Sequence, residues 1–225
     1  NVNLYIGIKK RNKSINIILN ISSKRKYHYQ KKQMNKTEWQ IANEWERDWW
    51  GDCSNTFNEE QKQYIYAHYM GLDEYKTNWY GRIGWDFGSK SVIDFGGGPC
   101  SMLLKSKAKN RTVFDPCIFP EWVQQRYEQS GINFVNTKAE TLPEWSIRWT
   151  ISIKSDECLL YNVLQHVENP ELVITNARKI AKIIRIFEWI DTGISEGHLH
   201  NLKEDNLNEW LGGIGKVEDI NQYPV

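Results

Sequence analysis

The 225-residue sequence has almost no net charge, 29 Lys and Arg against 28 Asp and Glu, so no global field draws it toward nucleic acid or an anionic membrane. Its four cysteines, Cys53, Cys100, Cys117 and Cys158, lie far apart without a CxxC pair. With no such pair and nothing resembling a secretory signal, a reducing cytoplasm fits best. Apolar runs fall well short of the roughly 20 residues that cross a bilayer, so no membrane partner is expected. What the chain does have is 40% hydrophobic residues, enough for one sizeable core, and eleven tryptophans suited to cores, interfaces or ligand walls.

Three regions follow. Residues 1–33 carry Lys24-Arg25-Lys26 and Lys31-Lys32 among Asn and Ser ahead of the first methionine, Met34, and read as a basic, poorly ordered leader. Ile15 to Ile21 as an added strand is the lesser alternative. Residues 34–88 read as an aromatic-rich helical lid. Thr37 and Gln40 have capping-box spacing, and Ile41, Trp45 and Trp49 then recur every four residues. A second helix is expected from about Asn58 to Met70, acidic in its first turn and ended by Gly71. The joining segment from Trp49 to Phe57 either folds over a pocket or packs on the core.

Residues 89–225 form the core. Short apolar runs at Val92–Phe95, Thr112–Asp115, Ile132–Val135, Cys158–Tyr161 and Ile183–Trp189 are strand candidates. Helices are expected between them at Met102–Lys109, Pro120–Gln129 and Pro170–Lys182. Such alternation predicts an α/β fold, a Rossmann-like, mostly parallel sheet with helices on both faces, preceded by the aromatic-rich helices.

The most informative stretch is Ser91-Val92-Ile93-Asp94-Phe95-Gly96-Gly97-Gly98-Pro99, a buried-type strand running into three glycines and a proline preset for a helical turn. A ligand can approach such a turn closely. The next strand ends in Asp115, about twenty residues on, where an acid in this kind of fold hydrogen-bonds the two ribose hydroxyls. A nicotinamide-binding GxGxxG would require glycine where Ser101 stands, and pyrophosphate favours donors rather than the acid Asp94 ahead of the turn. A cationic sulfonium ligand gives a reason for carboxylates there.

At this point the chain resembles the class I S-adenosylmethionine-dependent methyltransferase family over roughly residues 90–220. Asp94 through Pro99 is similar to that family's cofactor loop, and Asp115 falls at its ribose-binding acid. Lys138-Ala139-Glu140-Thr141-Leu142-Pro143 resembles its third cofactor segment, with Lys138 where an acid is usual, so that Ala139 and Glu140 are the substitutes for adenine recognition. Asp156 through Pro170 resembles its fourth strand and the helix entry after it. The resemblance implies S-adenosylmethionine as cofactor, bound by Asp94, Phe95, Gly96, Gly97, Gly98, Asp115, Ala139, Glu140, Tyr161 and Asn162, the last two bordering the methyl group. Ala181-Lys182-Ile183 stands where Pro-Gly-Gly is usual, and the final strand pair is expected to be shortened or missing.

Methyl transfer from a sulfonium is an in-line displacement that relies on positioning, and an oxygen acceptor also needs its proton removed. The candidate bases are His166, after the fourth core strand, and His198 and His200 in Gly197-His198-Leu199-His200, which alternation points the same way if extended. A metal on His198 and His200 would need a compact third ligand, which Asp191 and Glu196 do not clearly supply, so none is expected. The expected acceptor is an oxygen or nitrogen of a small molecule or sugar. Nucleic-acid methylation is disfavoured by the neutral charge and by the absence of an Asn/Asp-Pro-Pro-Tyr/Phe segment; a non-catalytic binding module is the remaining alternative.

Overall fold

The computed structural model describes residues 3–10, 36–76, 83–142, 154–213 and 217–219. Its elements in chain order are β1 (Asn3–Lys10), α1 (Glu38–Trp50), α2 (Phe57–Tyr69), β2 (Glu74–Lys76), β3 (Ile83–Asp86), β4 (Ser91–Phe95), β5 (Ser106–Lys107) and β6 (Asn110–Phe114). There follow α3 (Glu121–Gln129), β7 (Asn133–Val135), β8 (Ser155–Tyr161), α4 (Pro170–Ile180), β9 (Ala181–Ile190), α5 (Glu204–Trp210) and β10 (Val217–Asp219).

Seven strands form one sheet in the order β10-β1-β9-β8-β4-β6-β7, and every neighbouring pair is parallel. Strand alternation divides the core into two layers. Ile93, Phe95, Cys158, Leu160, Ile184 and Ile186 pack with α4 and α5 on one face. On the other, Val92, Val113, Leu159, Tyr161 and Phe187 pack with α2 and α3. Both faces are therefore covered, as a parallel sheet requires. From β4 the chain winds outward through β6 and β7, then returns to β8 and β9 on the opposite side. The carboxyl ends of β4 and β8 thus mark the switch point, where open sheets of this kind leave a crevice.

Four expectations need correction. Asn3–Lys10, inside the span read as a poorly ordered leader, is a strand of the sheet beside β9. Its apolar residues alternate, Leu4, Ile6 and Ile8, a period-2 pattern that the nearby lysines mask in a composition reading. Residues 11–33, including the alternative strand at Ile15 to Ile21, lie outside the described residues. Second, the span 34–88 is not wholly helical: β2 and β3 pair with β5 in a small three-stranded sheet. Third, no α-helix covers Met102–Lys109. Ser101 turns the chain, its hydroxyl taking the Leu103 N–H at 3.0 Å, and one short 3-10 turn, Met102–Lys105, precedes β5. Fourth, α4 ends at Ile180 rather than Lys182, because Ala181 is already the first residue of β9.

The sheet beyond β9 is completed by β1, with the three-residue β10 outside it. The other calls match the observed elements closely. Thr37 and Gln40 form the capping box of α1, Gln40 N–H donating to Thr37 Oγ1 at 3.2 Å and Thr37 N–H to Gln40 Oε1 at 2.9 Å. α2 ends before Gly71, which takes a positive φ of 63°.

Candidate functional site

The turn after β4 is held from behind. Asp94 is fully buried, and its Oδ2 accepts from Ser101 Oγ at 2.5 Å and from the Tyr161 hydroxyl at 2.7 Å. Tyr161 in turn accepts the Met102 N–H, while Tyr127 accepts the Ser101 N–H and donates to Gly98 O at 2.6 Å. Burial pushes the Asp94 carboxyl up to about 7 against the pull of these two hydroxyls. Asp94 does not line the cavity described below; it fixes the glycine turn that does.

Gly96 has φ +70° and a Cβ there would stand 2.2 Å from Val163 Cγ2; Gly98 has φ +61° and lies under the Trp50 ring. Side chains at either position would strain the backbone and close the space above the turn. Asp115, one residue past β6, is buried with one oxygen on Gly98 N–H (2.9 Å) and the other on Cys117 N–H (2.8 Å). Its carboxyl is raised to about 6 by burial, opposed by those two donors. The second strand thereby steers the first strand's turn.

Above these turns is a cavity of about 580 Å3, within the roughly 300–1,000 Å3 usual for small-molecule sites. Of the ten expected cofactor residues, nine line it: Phe95, the three glycines, Asp115, Ala139, Glu140, Tyr161 and Asn162. Asn162 sits at φ +53°, a left-handed conformation that Asn tolerates, and its Oδ1 accepts from Gln165 Nε2 at 2.9 Å. Glu140 lines the cavity, while its Oε1 accepts the Glu168 and Asn169 N–H groups at the start of α4. Lys138 is bound to Glu168 at 2.7 Å and lies 3.5 Å over the Trp39 ring.

The three histidines separate. His166 and His198 line the cavity with their rings edge to face at 4.7 Å. His166 Nδ1 lies 2.9 Å from Gly197 O, to which it donates, and burial depresses the ring to about 4. The remaining nitrogen, Nε2, is then a lone pair on a neutral ring. His200 is not among the lining residues; its Nε2 sits 2.8 Å from Val167 O, so the pair does not act together. Among the described residues, no group of three His, Cys, Asp or Glu side chains is placed to hold a metal.

Helix α1 roofs the cavity, and here sequence reasoning missed the most. The expected stripe Ile41-Trp45-Trp49 is not the buried one: Ala42 is the buried residue of the helix, and Trp49 is 51% exposed. Trp39, Asn43, Glu46 and Trp50, spaced three or four apart, line the cavity together with Trp45 and Trp49. Asn43 Nδ2 donates to Cys117 Sγ at 3.1 Å, and Trp45 Nε1 to Glu196 at 3.1 Å, with the Trp45 ring stacked so closely on Gly197 that a Cβ there would meet it at 2.4 Å. Glu46 Oε2 lies 3.4 Å from His166 Nδ1. Its carboxyl is raised to about 7, first by burial and then by Glu59. A polar face on a helix gives no sign in sequence of whether it meets solvent or a cavity, and that is why Glu46 went unnoticed.

No protein-family model and no curated protein matches the chain. Among solved structures it is similar to a SAM-dependent methyltransferase from Thermotoga maritima, at 15% identity and TM-score 0.40, over 65% of this chain and 57% of that one. It is also similar to the N-methyltransferase NodS from Bradyrhizobium japonicum, solved with S-adenosyl-L-homocysteine, at 14% identity and TM-score 0.36, over 69% and 67% of the two chains. A third is the plantazolicin methyltransferase BpumL with SAH, at 13% identity and TM-score 0.37, over 85% and 70%. The chain spans less than two thirds of the length of the Thermotoga protein.

Proposed function

We propose that the protein is an S-adenosylmethionine-dependent methyltransferase acting on an oxygen or nitrogen of a small molecule or sugar. The observation that carries this reading is the switch-point cavity, in which a glycine turn with two positive-φ positions meets a buried acid at the end of the neighbouring strand. The charge of the lining agrees. Its two lysines, Lys62 and Lys138, are paired with Glu59 and Glu168, which leaves carboxylates and backbone rather than the cations a pyrophosphate would use.

On this reading Gly96, Gly97 and Gly98 admit the amino-acid part of the cofactor, Asp115 takes the ribose hydroxyls, and Ala139 with the neighbouring backbone borders the adenine. The bound cofactor supplies an electrophilic methyl group on a sulfonium. Tyr161 and Asn162 border the methyl, and the chain's further contribution is to align the acceptor and exclude water. Residues 34–88 act as the lid through α1, while 89–225 form the binding core. His166, kept neutral by burial, and His198 flank the acceptor space; His200 contributes only through the loop it anchors. Four separate free thiols fit a reducing, cytoplasmic setting, and among the described residues no helix is long and apolar enough to cross a membrane.

Calorimetric titration with S-adenosylmethionine, S-adenosylhomocysteine and NAD tests the reading, repeated on Gly96→Val and Asp115→Ala. Micromolar binding of the first two, weakened by both substitutions, is expected; no binding, or a preference for NAD, overturns it.

A further inference from the structure

The cavity extends past the glycine turn, and aromatic rings from separate elements line it: Trp39, Trp45, Trp49 and Trp50 of α1, Tyr66 of α2 and Trp189 of β9. Among them stands Glu46. The other acids of the lining are occupied. Asp115 and Glu140 accept backbone N–H groups, and Glu59 is paired with Lys62. Glu46 instead meets two side chains, Trp50 as a donor and His166 at 3.4 Å. Since Nδ1 of His166 already donates to Gly197 O, that imidazole gives Glu46 little. No arginine lines the cavity among the described residues.

A mostly buried carboxylate whose neighbouring cation, Lys62, is itself bound to Glu59, set in a cavity lined by indole rings, suits an organic cation. The ring faces attract an ammonium group, as the Trp39 ring already does for Lys138 at 3.5 Å, and the carboxylate supplies the opposite charge. An anionic acceptor would meet an uncompensated like charge, and a neutral alcohol would gain from neither feature.

We propose that the methyl acceptor is a small organic amine, which enters as its ammonium ion and is received by Glu46 between the tryptophans of α1. The inference rests on the methyltransferase reading above. One proton passes from the ammonium nitrogen to Glu46, leaving a neutral amine and a carboxylic acid. The freed nitrogen lone pair then forms the bond to the methyl carbon, while the carbon–sulfur bond breaks with its electron pair returning to sulfur. A methylated ammonium and a thioether result, and the proton on Glu46 leaves to solvent. Glu46 suits this role better than His166, whose Nδ1 is already committed to Gly197 O and whose ring burial holds neutral.

The test uses the full chain and three probes of one shape and different charge: 2-phenylethylamine, 2-phenylethanol and phenylacetate, each titrated by tryptophan fluorescence with and without S-adenosylhomocysteine. The amine is expected to bind at least about tenfold more tightly than the alcohol, with the acid weakest. Glu46→Gln should bring amine and alcohol level, and Glu46→Asp should keep the preference; melting curves by circular dichroism confirm that each variant is folded. If Glu46→Gln does not fold, the wild-type charge series decides alone. Equal binding of the three probes, no binding of any, or a preference that survives in Glu46→Gln overturns the inference. Should S-adenosylhomocysteine bind while the amine shows no preference, the acceptor assignment alone falls; should S-adenosylhomocysteine not bind, the parent reading falls first and takes the acceptor with it.

Discussion

Two helices of similar length treat the sheet in opposite ways. α4 lays Val173, Ile174 and Ala177 flat against β8 and β9, all three without exposed surface, and its Asn176 donates to Ala139 O and Glu140 O. α1 buries Ala42 alone and otherwise holds its place by edge contacts: Asn43 to Cys117, Trp45 to Glu196, Lys138 against Trp39. One helix is bound by apolar packing, the other roofs a cavity with polar and half-exposed aromatic groups. The difference teaches where fold stability and binding capacity reside: the fold depends on α4, and α1 is free to be shaped by what lies beneath it.

The largest test of that contrast lies in α4. Ile174 is fully buried in the layer that includes Ile184 and Ile186. Truncation by Ile174→Ala should cost about 2–5 kcal/mol in denaturant unfolding, with an unchanged slope. A loss below about 1 kcal/mol would mean that the layer relaxes around the gap and that α4 is no firmer than α1.

A second, smaller effect concerns three buried acids of the sheet and its turns. Burial raises Asp94 to about 7, Asp115 to about 6 and Glu188 to about 8. Glu188 holds the turn after β8, its Oε1 accepting the Val163 and Leu164 N–H groups at 2.8 Å each. In the unfolded chain these groups ionise near their ordinary values, 3.8 for Asp and 4.5 for Glu. Between roughly pH 5 and 8 the native state therefore binds more protons, and stability falls as pH rises. His166 works the other way: depressed to about 4, it removes stability as pH drops below 6.5. Glu157 is lowered, burial being outweighed by Arg185 and Lys90, and so titrates below this window. The melting temperature should fall by several degrees from pH 6 to 8, and Glu188→Gln should flatten the slope. A melting temperature that climbs over that range would show that these carboxyls are ionised at little cost.

The same contrast explains what could be read from sequence. β4, β8 and β9 were legible as apolar runs largely buried on both faces, β6 and the edge strand β7 as shorter apolar runs only partly buried, and Gly96 to Pro99 with Asp115 because backbone geometry demands those residue types. β1 was hidden by the basic residues that follow it, and β5 by a segment whose Ser101 hydroxyl replaces helical hydrogen bonding. At the site, nine of the ten residues expected to bind cofactor line the cavity, while Asp94 supports the glycine turn from behind. His198 and His200 diverge because Leu199 N–H bonds to Gln165 O and the segment is not an extended strand. Glu46 and the tryptophans facing it depend on how α1 is rotated over the sheet, a tertiary fact with no local signature.

The smallest expected effect is also the most direct measure of that roof. Trp49 is 51% exposed, and its ring pairs edge to face with Trp50 at 4.7 Å. An aromatic pair of this kind contributes about 0.5–1.5 kcal/mol beyond area, and exposure holds the total toward the lower end. Trp49→Ala should therefore lower stability by under about 1 kcal/mol in the same denaturant experiment that finds a severalfold larger loss for Ile174→Ala. Its second consequence is local. Trp50 faces Gly98, where an added Cβ would meet its ring at 3.3 Å, so freeing it from Trp49 should loosen the roof above the glycine turn and speed amide exchange in α1 without touching α4. A loss as large as that of Ile174→Ala would place α1 within the cooperative core and remove the distinction between a helix that builds the fold and a helix that covers the site.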